Sequence, residues 1–154
     1  MTVDAADALR DNNFIAAFQE IQQQAAAINQ KNGFVAQEAM IDRLDTYLRS
    51  QCVDEFLPLI GMFKDARVGL KLALITGEIS ETLESVRKNL GPDDHIPKYS
   101  AEEAEIADAV LRLMNYATDR NLRLAEAIVA KNEFNRNRPD HSKEGRAAVH
   151  GKRF

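Results

Sequence analysis

The N-terminal part of the chain carries two apolar patterns with helical spacing. The stronger pattern repeats at intervals of four and three residues and predicts one face of a helix, formed by Phe14, Phe18, Ile21, Ala25 and Ile28. Asn32-Gly33 is typical of the turn that ends such a helix. A weaker pattern over 40–48 predicts a second helix. Pro58 interrupts the segment after it, which predicts a short helix or a bend from Val53 to Gly61.

Two longer helices follow, separated by a loop. The first is expected from about Phe63 to about Lys88, and its apolar face comprises Val68, Leu72, Ile75, Ile79, Leu83 and Val86. Ser100 and Glu103 have the spacing of a capping box, which predicts that the next helix begins there. The core face of that helix is expected to comprise Ile106, Val110, Leu113, Met114 and Ala117.

A last helix is expected to begin near Leu122 and to end before Pro139. Glycine and proline are scarce, at seven and four residues, which favours helices over strands. We therefore predict an all-α bundle of four to five helices. Three segments are expected: an N-terminal helical extension packed on the core (1–62), a core with the candidate site (63–138) and a basic C-terminal tail (139–154).

Charge is distributed unevenly along the chain, whose formal net charge is -4. Residues 1–130 carry 13 Lys and Arg and 21 Asp and Glu. Residues 131–154 carry seven Lys and Arg and three Asp and Glu. An acidic body with a basic tail is typical of a solubility device. It is also what a site needs if one part holds a cation and another binds a polyanion.

Several classes of protein are disfavoured by composition. There is no apolar run of transmembrane length and no signal-like start, so we expect no membrane partner. Aromatic residues are 6% of the chain and are not interleaved with a basic stripe, so we expect no nucleic-acid partner. Cys52 is the only cysteine, which favours a reducing, cytoplasmic location. Because a free cysteine usually behaves as a small apolar residue, we expect its side chain to be buried.

The candidate chemistry lies in two acidic pairs on the two longer helices, Glu78 with Glu81 and Glu105 with Asp108. Residues three apart share a helical face, so each pair presents two carboxylates in one direction. If the two helices pack antiparallel, four carboxylates meet, and their repulsion favours a cation at the centre. An oxygen cage without Cys or His suits Mg²⁺, with Mn²⁺ also possible.

Acidic pairs of this kind also occur on solvated helix faces, and that alternative stays open. The apolar Leu70 and Leu74 share or border the face of Glu78 and Glu81, which indicates that this face is partly covered. Gly69 and Gly77 lie inside the same helix, where glycine costs about 1 kcal/mol relative to alanine. We interpret them as places where a neighbouring backbone or a ligand comes close.

A basic group follows in the last helix. Lys131, Asn135 and Arg138 are spaced four and three residues apart, and together they are suited to hold a phosphate group. The alternative is an ordinary basic end that complements the helix dipole.

The order of these motifs resembles a known family. GEISETLESVRKN, EEAEIADAVLRL, KNEFNRNRPDH and the terminal HGKRF are similar to segments of the MazG-like nucleotide pyrophosphohydrolases, which are all-α enzymes. The likeness runs from about Phe63 to the C-terminus. Many members carry two further glutamates at the places of Leu74 and Ile75, so the number of metal ions is left open.

The resemblance implies hydrolysis of a (deoxy)nucleoside triphosphate to the monophosphate and pyrophosphate. It implies that the metal ligands are Glu78, Glu81, Glu105 and Asp108 and that Lys131, Asn135 and Arg138 bind the substrate. Glu81 is the preferred general base. A homodimer or homotetramer is expected, also because the apolar stripes near the N-terminus exceed what the core needs. The alternatives are a non-catalytic helical interaction module with solvated acidic faces and a house-cleaning enzyme for modified nucleotides.

Overall fold

The protein is all-α, as predicted. A computed structural model describes the backbone of residues 3–136 and the side chains from Asp7 onward. This part of the chain contains five α-helices and one 3-10 turn. They are α1 (Val3–Lys31), α2 (Ala36–Ser50), the 3-10 turn (Asp54–Phe56), α3 (Leu57–Lys88), α4 (Ala101–Asp119) and α5 (Leu124–Arg136).

Local sequence signals explain where several helices end. Gly33, just after α1, has a φ of 77°, a conformation that glycine adopts without steric cost. Asn89 caps α3 in the left-handed region with a φ of 50°. At the start of α4, the Ser100 hydroxyl accepts a hydrogen bond from the Glu103 amide at 3.2 Å. The Ser100 amide in turn donates to the Glu103 carboxylate at 2.8 Å, which confirms the predicted capping box.

Two sequence-based expectations near residue 55 were inaccurate. Helix α3 begins at Leu57, earlier than expected, because Pro58 lies in its first turn, where a missing N–H costs nothing. The expected bend is therefore limited to the short 3-10 turn. Cys52 is exposed in the turn after α2 with a φ of 54°, so the prediction that it is a buried apolar residue was wrong.

The chain divides into two compact units. One combines the described residues up to Glu20 with those from Leu122 onward, and the other is the continuous segment Ile21–Asn121. In the first unit, the rings of Phe14 and Phe18 lie 5.7 Å apart and Ala125 is buried. The second unit contains α2, α3, α4 and the end of α1, and it holds all four predicted metal ligands. The three-segment division expected from the sequence stays a prediction.

Helices α3 and α4 pack antiparallel through their polar stripes rather than their apolar ones. Lys71 contacts Asp119, and Glu78, further along α3, contacts Arg112, which comes earlier in α4. The two helices therefore run in opposite directions. Four residues that belong to these stripes or border them are buried: Glu78, Ser85, Ala104 and Ala109.

The apolar faces of these two helices were expected to form the core, and for most positions this was wrong. Met114 and Ala117 are buried, and Val68 and Ile75 are half-buried. Seven other large residues of these stripes are at least 42% exposed in the single chain: Leu72, Ile79, Leu83, Val86, Ile106, Val110 and Leu113. Periodicity identifies an apolar face, but it does not identify what covers that face. Among the described residues, no helix is long and apolar enough to span a membrane.

Candidate functional site

Three carboxylates from the two predicted acidic pairs meet between α3 and α4. Glu78, Glu105 and Asp108 each offer one carboxylate oxygen, and these oxygens lie within 4.8 Å of one another. Glu78 is buried with 6% of its surface exposed, Glu105 is half-buried and Asp108 is exposed. We call these three residues the carboxylate cluster. This spacing is compatible with one shared cation, and a set of hard oxygen donors suits Mg²⁺ or Mn²⁺.

The geometry of the cluster follows from helical spacing and from the direction of the two helices. Glu105 and Asp108 are three residues apart and share one face of α4. The capping box at Ser100 fixes where α4 begins and therefore which face Glu105 presents. Because α3 runs antiparallel to α4, Glu78 lies opposite this face.

Glu81, the fourth predicted ligand, is exposed on α3 and is not one of the three clustered residues. It is still part of the local electrostatics. Burial raises the pKa of Glu105, and the charges of Glu81, Glu78 and Asp108 raise it further. The other three predicted ligands therefore disfavour the ionised form of Glu105, and a bound cation would relieve that repulsion.

Arg112 neutralises the most buried member of the cluster. Its Nε donates a hydrogen bond to Oε1 of Glu78 at 2.5 Å, and this contact is an ion pair between α4 and α3. The sequence analysis did not assign Arg112 to the site. The available signal was its position one turn after Asp108, on the same face of α4.

A cavity of about 680 Å³ lies beside the cluster, entirely within the Ile21–Asn121 unit. Asp108 and Arg112 belong to its wall, which connects the cavity to the cluster. Most of the remaining wall is apolar and comes from the end of α1, the turn after it, α3 and α4. These apolar residues include Ile21, Ala25, Ile28, Phe34, Leu70, Leu74 and Leu111.

Two further cations of the cavity wall are held in an ion-pair network. Arg67 donates to Oε1 of Glu38 at 2.5 Å, and Lys71 lies 2.9 Å from the same oxygen. Lys71 also donates to Asp119 at 2.6 Å. Burial by itself raises the pKa of Glu38, but the hydrogen bonds from Arg67 and Lys71 outweigh it and lower this pKa to about 2. The network joins α2, α3 and α4 at one side of the cavity.

A polar atom of the cavity wall has no partner. Among the described residues, Oδ1 of Asn115 is buried and accepts no hydrogen bond. A buried acceptor left unpaired costs about 1–3 kcal/mol.

The predicted phosphate-binding residues belong to the other unit. Lys131 and Asn135 are exposed on α5, and Nζ of Lys131 lies 4.7 Å from the centre of the Phe134 ring. Arg138 lies outside the described residues. The role of these three residues in substrate binding stays a prediction.

Of the two explanations for the helical glycines, the close approach of a neighbouring backbone is contradicted within the described residues, and the close approach of a ligand stays a prediction. A Cβ atom added at Gly69 or Gly77 would have no neighbour within 4 Å. No backbone of the described residues therefore requires glycine at either position.

Comparison with known proteins adds no assignment. No family model matches the chain, and no curated protein or solved structure matches it either. The likeness to MazG-like enzymes therefore rests on the motifs quoted above.

Proposed function

We propose that the protein is a magnesium-dependent hydrolase that converts a nucleoside triphosphate to its monophosphate and pyrophosphate. The observation that carries this proposal is the meeting of Glu78, Glu105 and Asp108 beside a cavity whose wall includes Asp108 and Arg112. A nucleotide needs an apolar surface for its base and a cation-rich region for its phosphates. The cavity supplies the apolar surface, and the carboxylate cluster would supply the second environment once it holds a cation.

The size and lining of the cavity fit such a ligand. Pockets for small molecules measure roughly 300–1,000 Å³ and are mostly apolar with a few polar groups. The cavity of about 680 Å³ lies in this range.

The donor set fits magnesium. Three oxygen donors come together, and one of them is the buried Glu78. The pKa of Glu105 is raised by burial and, in addition, by the charges of Glu81, Glu78 and Asp108. Glu78, Glu105 and Asp108 would hold the magnesium ion, which would supply charge neutralisation of the phosphates and activation of a water molecule.

The remaining roles in binding and catalysis belong to side chains of the protein. Glu81 accepts the proton of the attacking water, whose oxygen forms a bond to phosphorus as the bond to the leaving pyrophosphate breaks. The apolar part of the cavity wall holds the base and sugar. Lys131, Asn135 and Arg138 contact the phosphates and stabilise the charge on the pyrophosphate.

We further propose that the active form is a homodimer or a homotetramer. Seven large apolar side chains on the outer faces of α3 and α4 are at least 42% exposed in the single chain. They form two apolar faces on one chain, and a stable interface buries about 800 Å² per partner. A second copy presents the same apolar faces and is therefore a chemically matched occupant. Light scattering at micromolar concentrations should give at least twice 17.2 kDa, and a monomer mass would contradict this part of the proposal.

The substrate is tested by a screen of normal and modified nucleoside triphosphates for pyrophosphate release with Mg²⁺. Preference for modified nucleotides would assign the protein to house-cleaning hydrolysis. A non-catalytic interaction module would release no pyrophosphate, and its melting temperature would not rise with Mg²⁺ and triphosphate together.

Two variants separate the proposed roles. Glu81→Gln should lower turnover on the order of 100-fold or more, with only partial recovery at high Mg²⁺. Lys131→Ala should raise KM more than it lowers kcat if Lys131 binds substrate and transition state alike. A lower kcat with unchanged KM would place Lys131 on the leaving pyrophosphate instead. Wild-type turnover by Glu81→Gln would contradict the assignment of Glu81.

A further inference from the structure

Arg112 belongs to both parts of the candidate site, because it pairs with Glu78 and also forms part of the cavity wall. We propose that Arg112 exchanges partners during ligand binding. It pairs with Glu78 in the metal-free protein, and it binds a phosphate of the nucleotide once a divalent cation occupies the carboxylate cluster. This inference rests on the proposed function and assigns a role to a residue outside the predicted site.

The metal-free protein needs a cation at Glu78. The side chain of Glu78 is only 8% exposed, and an isolated buried carboxylate is strongly unfavourable. The guanidinium of Arg112 supplies the compensating charge. The side chain of Arg112 is 44% exposed, so its guanidinium can leave this contact without crossing packed protein.

A metal ion and Arg112 compete for the same carboxylate. A cation held by the cluster uses an oxygen of Glu78, and its double positive charge repels the guanidinium beside it. Glu78 no longer needs Arg112 once the metal neutralises it. Metal binding therefore releases an arginine at the edge of the cavity.

The released guanidinium is suited to a phosphate. Arginine presents a planar fork of N–H donors that matches phosphate oxygens. Arg67 and Lys71 also line the cavity, but they are held by Glu38 and Asp119, which are not members of the cluster. Among these three cations of the cavity wall, Arg112 is the one that pairs with a member of the carboxylate cluster, so it is the one that loses its partner when a metal binds.

This exchange predicts effects of opposite sign on two affinities. Without Arg112 the metal has no internal competitor, so metal binding in the absence of nucleotide should become tighter. The nucleotide loses a charged partner, so its binding at saturating metal should become weaker. A residue that only maintained the shape of the site would lower both affinities when removed.

The experiment measures Mn²⁺ binding by electron paramagnetic resonance and binding of a non-hydrolysable triphosphate analogue by calorimetry at saturating Mn²⁺. Arg112→Gln should tighten Mn²⁺ binding about three- to tenfold, a discounted value for one charged hydrogen bond at a partly exposed arginine. The same variant should weaken analogue binding about tenfold or more. Arg87→Gln is the matched control, because Arg87 is an exposed arginine on α3 that pairs with Glu84 outside the cluster. The affinities of Arg87→Gln for Mn²⁺ and for the analogue should both remain at the wild-type value.

Arg112→Lys covers the case in which loss of the charge beside Glu78 prevents folding of the Gln variant. Lysine keeps the charge but loses the fork, so Mn²⁺ binding should stay within about twofold and analogue binding should weaken several-fold. If Arg112→Gln weakens Mn²⁺ binding, or if analogue binding is unchanged in either variant, the exchange of partners is overturned while the proposed function stands. If the wild-type protein binds neither Mn²⁺ nor the analogue, the proposed function fails and this inference fails with it.

Discussion

Replacement of Glu38 by glutamine tests whether the ion-pair network really fixes α2 beside the cavity wall. Glu38 pairs with Arg67 and Lys71, and its side chain is 25% exposed. Burial alone would raise its pKa, yet these hydrogen bonds lower the pKa from 4.5 to about 2. A decrease of this size on folding corresponds to about 3 kcal/mol of stability from the ionised carboxylate.

The sign of this contribution sets its dependence on pH. Because the pKa of Glu38 is lower in the folded protein, the stabilisation is complete well above pH 4.5. It is lost as the pH falls toward 2, where the folded protein also binds the proton. Glu38→Gln should therefore lower the free energy of unfolding by about 3 kcal/mol at pH 7 and by roughly half as much at pH 3.

Urea unfolding followed by circular dichroism at the two pH values measures this difference. Asp42→Asn is the matched control, since Asp42 also lies on α2 and pairs with Lys64, but its side chain is 69% exposed. That variant should change the free energy of unfolding by less than about 1 kcal/mol. Equal destabilisation by Glu38→Gln at pH 7 and pH 3, or an effect no larger than that of Asp42→Asn, would refute the reasoning.

Three further predictions concern the helices around the site. Gly77→Ala should stabilise the protein by up to about 1 kcal/mol in thermal unfolding, because helix propensity improves and no atom lies within 4 Å of the new Cβ; a clear loss of stability would indicate a contact with another molecule. Ser100→Ala should cost about 1 kcal/mol, since it removes the acceptor of the capping box, and an unchanged melting temperature would contradict this. Ile79→Lys should lower the mass measured by light scattering toward 17.2 kDa, because Ile79 is 55% exposed on the proposed interface, and an unchanged oligomer would place that interface elsewhere.

Local signals in the sequence were sufficient to predict most helix ends and the pairing of the acidic residues. A capping box, a glycine with positive φ and a spacing of three residues each act within one or two helical turns. For that reason Ser100, Gly33 and the Glu105–Asp108 pair were identified correctly as structural features. The predicted all-α class follows from the same kind of information.

Contacts between distant segments were not predictable in this way. The periodicity of α3 and α4 identifies their apolar faces but not the faces that meet, and they meet through Glu78 and Arg112. The pairing of Glu38 with Arg67 joins residues 29 apart in the chain, and no local pattern indicates it. Cys52 was misjudged because its exposure depends on the turn that follows α2.

The most direct test of the account is the rate of pyrophosphate release from a preferred triphosphate by the wild-type protein and by Glu78→Gln. Glu78 is the buried member of the carboxylate cluster, so the amide removes one of its three charges with little change in shape. The account predicts Mg²⁺-dependent release of monophosphate and pyrophosphate by the wild-type protein. It predicts a decrease of at least about 100-fold in Glu78→Gln, with circular dichroism showing that the variant remains folded. A Glu78→Gln variant that releases pyrophosphate at the wild-type rate, or a wild-type protein that releases none with any triphosphate, would contradict it.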